Sequence, residues 1–206
     1  MKAKTTKVTI LIVLLVLSMV GYYAYLSGRV KDQKRSSAEQ VSALDTVLDR
    51  DLTNNYPSTP KEVMKYYNEI VKLLYGGTEE ELSEDLVDDL AMKMRGLYDA
   101  ELLAHNEMGT HLIRLRSEVK EYQDKGRRIT NCSVASSSNV DYYSVDGYDF
   151  ARLLCTYNVN EGGVSSTQKL IFLLRKDADR RWKIYGWDLE ENVDLTGDSE
   201  DKGSDA

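Results

Sequence analysis

Tyr148–Asn160 reads YDFARLLCTYNVN, and its apolar residues sort by parity. Tyr148, Phe150 and Leu154 fall on one side of an extended chain, and Ala151, Leu153, Cys155 and Tyr157 fall on the other. A helix would scatter these positions around its circumference, whereas a strand separates them into two faces. Three further stretches keep the same period: Ile129–Ser137, Val164–Arg175 and Arg181–Leu189. They are separated by a Ser/Asn-rich loop, by Glu161-Gly162-Gly163 and by Asp177–Asp179, all of them turn chemistry. Four antiparallel strands are therefore predicted. Both faces carry apolar residues; in the last strand Trp182 and Ile184 face one way and Tyr185 and Trp187 near the other. Such a sheet is expected to curve strongly, with helices filling its concave side.

Upstream the period is helical. In Asn55-Tyr56-Pro57-Ser58-Thr59-Pro60, Thr59 is placed to cap, Pro60 sits at the first helical position and Glu62 can reach back to the cap. Val63, Tyr67, Ile70, Val71 and Leu74 then share one face, and Gly76-Gly77 ends the helix. Thr78 with Glu81 reads as a second capping box, followed by Leu82, Leu86, Leu90, Met94 and Leu97 at helical spacing. Gly96 can split this into two helices, the second ending near His105-Asn106. A third is predicted over Thr110–Lys125 with Leu112, Leu115, Val119 and Tyr122 inward, closed by Gly126. Helices followed by an antiparallel meander give an α+β domain over Asn55–Leu189.

Ahead of the domain, Val8–Gly28 (VTILIVLLVLSMVGYYAYLSG) carries no charge over 21 residues. A helix of that length covers roughly 30 Å, the thickness of a bilayer's hydrocarbon core. Tyr22, Tyr23 and Tyr25 cluster at one end, where amphipathic rings settle among headgroups. No small-residue pair follows at a cleavage spacing and no cysteine follows at a lipidation spacing, so an uncleaved transmembrane helix is expected, with the bilayer as a partner. Residues 1–7 form a short tail, expected in the cytoplasm. Residues 29–54 form a basic flank and a helical stalk with Val41, Leu44, Val47 and Leu48 as its stripe. Residues 190–206 hold seven acids and one lysine and are expected to be disordered.

Residues 1–35 hold seven of the 27 Lys/Arg and one of the 34 acids, which leaves the remainder at net −13. So acidic a domain is repelled by nucleic acid, and nucleic-acid binding is excluded as a reading. Cys132 and Cys155 match no metal or redox spacing. They read as two small buried hydrophobes or, outside the cytoplasm, as a disulfide. A connection centred near Tyr143 sets them opposite one another, and a tight turn at Asp146-Gly147 does not.

The order of helix, helix, helix, then a curved meander ending in Trp182-Lys183-Ile184-Tyr185-Gly186-Trp187 resembles the cone-shaped domains of the nuclear-transport-factor-like superfamily. Asn55–Val63, Lys65-Tyr66-Tyr67-Asn68-Glu69-Ile70, Leu97–Leu103, Ser133–Ser137 and Phe172–Asp177 also resemble uncharacterised single-span proteins of Gram-positive clostridia. That likeness implies a fold and a membrane location and supplies no activity. In enzymes of the superfamily an acid, Tyr or His inside the cone moves a proton. The corresponding lining here is Tyr66 or Tyr67, Tyr98, Tyr157 and Trp187, with Asp149 or Asp188 the nearest strand acids.

His105 and His111 lie six apart around Glu107, where a metalloprotease helix needs four; a surface turn accounts for them, and no metal or cofactor is expected. The chain has no phosphate-cradling glycine loop, no serine elbow and no cysteine beside a histidine. The expectation is a non-enzymatic module of the cell envelope, presenting its domain outside the cytoplasm to envelope proteins or to a second copy. A small-molecule binder, or a lyase/isomerase-type enzyme using the cone pocket, is the other reading.

Overall fold

The computed structural model describes residues 43–76 and 82–193. The chain divides into two units, 1–45 and 46–206. The predicted span Val8–Gly28, the Thr78–Glu81 capping box and residues 194–206 lie outside the described residues. Among the described residues no helix is long and apolar enough to cross a membrane.

The second unit is α+β, helices first. After a helical segment at 43–48 come α1 (Pro60–Tyr75), α2 (Glu84–Arg95), α3 (Ala100–His105) and α4 (Met108–Asp124). Then follow β1 (Arg127–Val134), β2 (Asp141–Val145), β3 (Tyr148–Glu161), β4 (Val164–Lys176) and β5 (Trp182–Leu189). α1 forms as its sequence dictates: Thr59 and Glu62 close a reciprocal capping box and Pro60 opens the helix. Its inward face, Val63, Ile70, Val71 and Leu74 among others, is buried. α2 begins later than the apolar spacing suggests. Its cap is Ser83, whose hydroxyl accepts from the Leu86 amide at 3.3 Å, so Leu82 precedes the helix. α4 starts at Met108, before Thr110, and buries Leu115 and Val119, with Leu112 and Tyr122 half-buried.

The sheet departs from the four-strand expectation. β3, β4 and β5 form an antiparallel meander, but β1 and β2 both pair with the same edge of β3. They form one row of strand broken in two: from Val134 to Asp141 the chain takes seven steps while β3 takes three, Cys155 to Arg152. The surplus forms the excursion at 135–140, which includes a 3-10 turn over Ser137–Asn139. Asp146 and Gly147, both at positive φ (52° and 82°), close the β2–β3 hairpin, as Gly162 and Gly163 close β3–β4. The excursion returns β1 to a register in which Cys132 faces Tyr157 and Cys155 faces Val134. The cysteines are thus diagonal neighbours and both are free thiols, so the disulfide expectation does not hold; diagonal positions lie ~7–8 Å apart, beyond a bridge's usual reach.

A second irregularity corrects the facing of Trp187. Leu173 pairs with Gly186 but Leu174 with Ile184, so Tyr185 is an extra residue in β5. This bulge puts Trp187 opposite the buried Phe172, on the same face as Ile184 and Trp182. The face toward the helices is the core: Ala151, Leu153, Cys155, Leu174 and Ile184 are almost fully buried. Leu153, Leu174 and Ile184 each contribute roughly 1.5–3 kcal/mol by leaving water. At the C-terminal end Glu190–Asn192 form a 3-10 turn, so ordered structure reaches into the acidic segment.

Candidate functional site

Between the helices and the sheet lies an unfilled pocket of about 560 Å³. α1 supplies Tyr67, Val71 and Tyr75; α4 supplies His111, Arg114, Leu115, Glu118 and Tyr122; β3, β4 and β5 supply Tyr157, Leu170 and Trp187. Met94, Tyr98, Leu102, Asn106, Ile129, Gln168 and Gly186 complete the wall. Four residues expected from the sequence therefore come together here: Tyr67, Tyr98, Tyr157 and Trp187.

Tyr66 does not. It points away from the pocket, buried, its hydroxyl donating to the Val47 carbonyl at 2.8 Å, with the Arg50 guanidinium 4.8 Å over its ring. Asp149 does not either. It lies eight residues along β3 from Tyr157, about 26 Å at ~3.3 Å per residue, exposed and accepting from the Ser144 hydroxyl at 2.8 Å. Asp188 is exposed beside Trp187 and accepts from the Leu189 amide and the Asn192 side chain.

Tyr98 is the most firmly positioned of the lining residues. Asp99 N–H donates to the Ile184 carbonyl and Ile184 N–H to the Leu97 carbonyl, each at 2.8 Å, which pairs the Leu97–Asp99 turn with β5. Arg175 then holds the buried Asp99 carboxylate bidentately, through Nε at 3.0 Å and Nη2 at 2.5 Å. The Tyr98 ring stands 5.9 Å from His111 and 6.1 Å from Trp187, and Trp187 stacks on Phe172 at 5.7 Å. Burial raises the Tyr98 hydroxyl to about 12 and pushes Tyr67 well above the ordinary tyrosine range. Tyr157 turns its hydroxyl into the core, donating to Asn68 Oδ1 at 2.7 Å, and is likewise raised by burial. These phenols stay protonated at neutral pH and serve as hydrogen-bond groups.

The sequence reading placed both histidines on a surface turn. His105 is exposed at the end of α3, but His111 is buried within α4 and lines the pocket. Arg95 Nη1 lies 3.2 Å from His111 Nδ1. A guanidinium can only donate, so Nδ1 accepts and the ring proton of the neutral imidazole sits on Nε2. Burial, then the charges of Arg95 and Arg114, lower the His111 pKa below its ordinary 6.5. Arg95 Nη1 also donates to the Asn106 carbonyl and Arg114 Nη2 to Asn106 Oδ1, both at 2.7 Å. His111, Leu115, Glu118 and Tyr122 recur at helical spacing, and that interleaving of polar with apolar on one face was the available signal for them. Among the described residues no group of three or more His, Cys, Asp or Glu is placed to hold a metal ion.

Residues 1–187 match a domain of unknown function, DUF6715. The chain belongs to that family. No curated protein matches it. The DUF6715 match spans the apolar N-terminal stretch together with every pocket residue, so the two belong to one family unit.

Proposed function

We propose that this DUF6715 chain is a membrane-tethered binding module whose pocket takes a small molecule. The observation that carries this reading is the pocket itself: about 560 Å³ of unfilled space, bordered by aromatic rings and by polar groups in nearly equal measure, within the ~300–1,000 Å³ usual for ligand sites. A lyase or isomerase would need a base aimed into that space. The lining phenols are held protonated, His111 offers Nε2–H, a donor, because Arg95 occupies its lone pair, and the lining carboxylate, Glu118, is exposed to water instead of enclosed. Binding without proton transfer is what these groups support.

The tether rests on Val8–Gly28, long enough and apolar enough as a helix to span lipid. The resemblance to cone-shaped nuclear-transport-factor-like domains and to single-span clostridial proteins supports display outside the cytoplasm, with envelope proteins or a second copy as partners. The full-length chain is expected to stay with the membrane pellet on alkaline extraction and to melt higher in the presence of small planar molecules. A Leu102→Trp variant, filling the pocket from a half-buried position, should lose that response. Release into the aqueous fraction would remove the tether, and an equal response in the filled variant would remove the pocket.

A further inference from the structure

The pocket's wall holds one guanidinium, Arg114, and one carboxylate, Glu118, beside Asn106, His111 and Gln168. Arg114, and Arg95 beside His111, have no carboxylate partner among the described residues; they donate to the neutral groups of Asn106 and, for Arg95, to His111. Elsewhere in the domain Arg116 pairs with Glu84 and Asp88, Arg127 with Glu161, and Arg175 with Asp99 and Glu101. His111, only 5% exposed, carries an Nε2–H with no protein partner among the described residues, on a side chain that lines the pocket. That N–H opens on the pocket, where water or a ligand can accept from it.

We propose that the pocket takes a planar, apolar molecule bearing a carboxylate, with the carboxylate on His111 Nε2–H and the Arg114 guanidinium and the body against Tyr98 and Trp187. This rests on the binding reading above and names its ligand class. A guanidinium fork matches a planar carboxylate, and donors of this kind are strongest when their acceptor is charged. The aromatic wall alone would also suit a cationic ligand, but Arg114 in the wall, with Arg95 beside His111, repels one. Glu118, exposed at the rim four residues from Arg114 and in no ion pair with it, opposes excess negative charge and favours a singly charged headgroup over a doubly charged one.

The test is calorimetric titration of the full chain with three probes of one shape: 2-naphthoate, 2-naphthamide and 2-naphthylmethylammonium. Naphthoate should bind at least about tenfold more tightly than either of the others. Arg114→Gln should abolish that preference, weakening naphthoate far more than naphthamide, with the melting temperature unchanged; Arg114 is exposed, so folding survives its loss. Glu118→Gln should tighten naphthoate by about twofold. Partition into detergent or lipid is common to wild type and variants and cancels in the comparison. Equal affinity for naphthoate and naphthamide, or a preference for the ammonium, overturns the carboxylate assignment and leaves the pocket standing. Absence of saturable binding by all three overturns both.

Discussion

At the scale of single residues, His111 is where the pocket's chemistry and the chain's stability meet. Its ring is held neutral by burial and by two guanidiniums, so its folded-state pKa lies below the 6.5 of an unhindered histidine. Between those two values the unfolded chain binds a proton that the folded chain refuses, and stability rises with pH. The loss should begin as pH falls through about 6.5 and cease once the native ring itself protonates; above that window His111 contributes no slope. Urea unfolding of the wild type should show this decline, and His111→Gln should flatten it. An unchanged slope in the variant would mean the ring is not held neutral. The predicted helix over Thr110–Lys125 already contained His111, whose spacing to Leu115 and Tyr122 puts it on the inward face; assigning it to a surface turn set the residue's polarity above that periodicity. The tyrosines were easier, since Tyr67, Tyr98 and Tyr157 each sit on the core side of their own element.

Elements were readable where local chemistry fixes them and unreadable where register does. α1 is written in Thr59, Pro60 and Glu62, and the β3–β4 hairpin in Gly162-Gly163. The division of the first row into β1 and β2 is a non-local event. Asp141–Val145 (DYYSV) becomes a strand only because β3 is long enough to pair with both halves, and the two alternatives weighed for the cysteines are partly both realised: a tight turn at Asp146-Gly147, and an excursion that brings Cys132 within two positions of opposing Cys155. Trp187's facing was missed for the same reason, since a bulge at Tyr185 shifts the parity that sequence counting assumes. The Leu97–Asp99 turn is another such product, paired with β5 through the Ile184 backbone and tied to β4 by Arg175 and Asp99, with side chains 12% and 4% exposed. Arg175→Met is expected to cost about 2 kcal/mol in urea unfolding, between exposed and fully buried pairs, because it orphans a buried carboxylate. Adding Asp99→Asn keeps an acceptor for the α3 cap, removes the stranded charge and should recover part of the loss. No recovery in the double variant would show that the ion pair is not what fixes the turn.

For the molecule as a whole, the architecture follows from the order of periods, helical then alternating, while the function follows from what the packing leaves unfilled. The helices cover one face of the sheet and bury Val63, Ile70, Leu90, Leu153, Leu174 and Ile184, yet they leave space beside Trp187. Six aromatic side chains border that space instead of closing it. Burial also raises both thiols, Cys132 to about 11 and Cys155 to about 12, so they sit as quiet core groups beside Tyr157 and supply no reactive centre to the pocket. The binding reading therefore depends on the space being real in solution and accessible to a small molecule. The most direct measurement is a titration of the full chain, labelled with ¹³C at its tyrosine rings, with 2-naphthoate. Saturable shifts are expected at Tyr67, Tyr98 and Tyr157, with Tyr142, Tyr143 and Tyr148 on the exposed strands unmoved. Shifts confined to those exposed tyrosines, or no saturable shift at all, would contradict it.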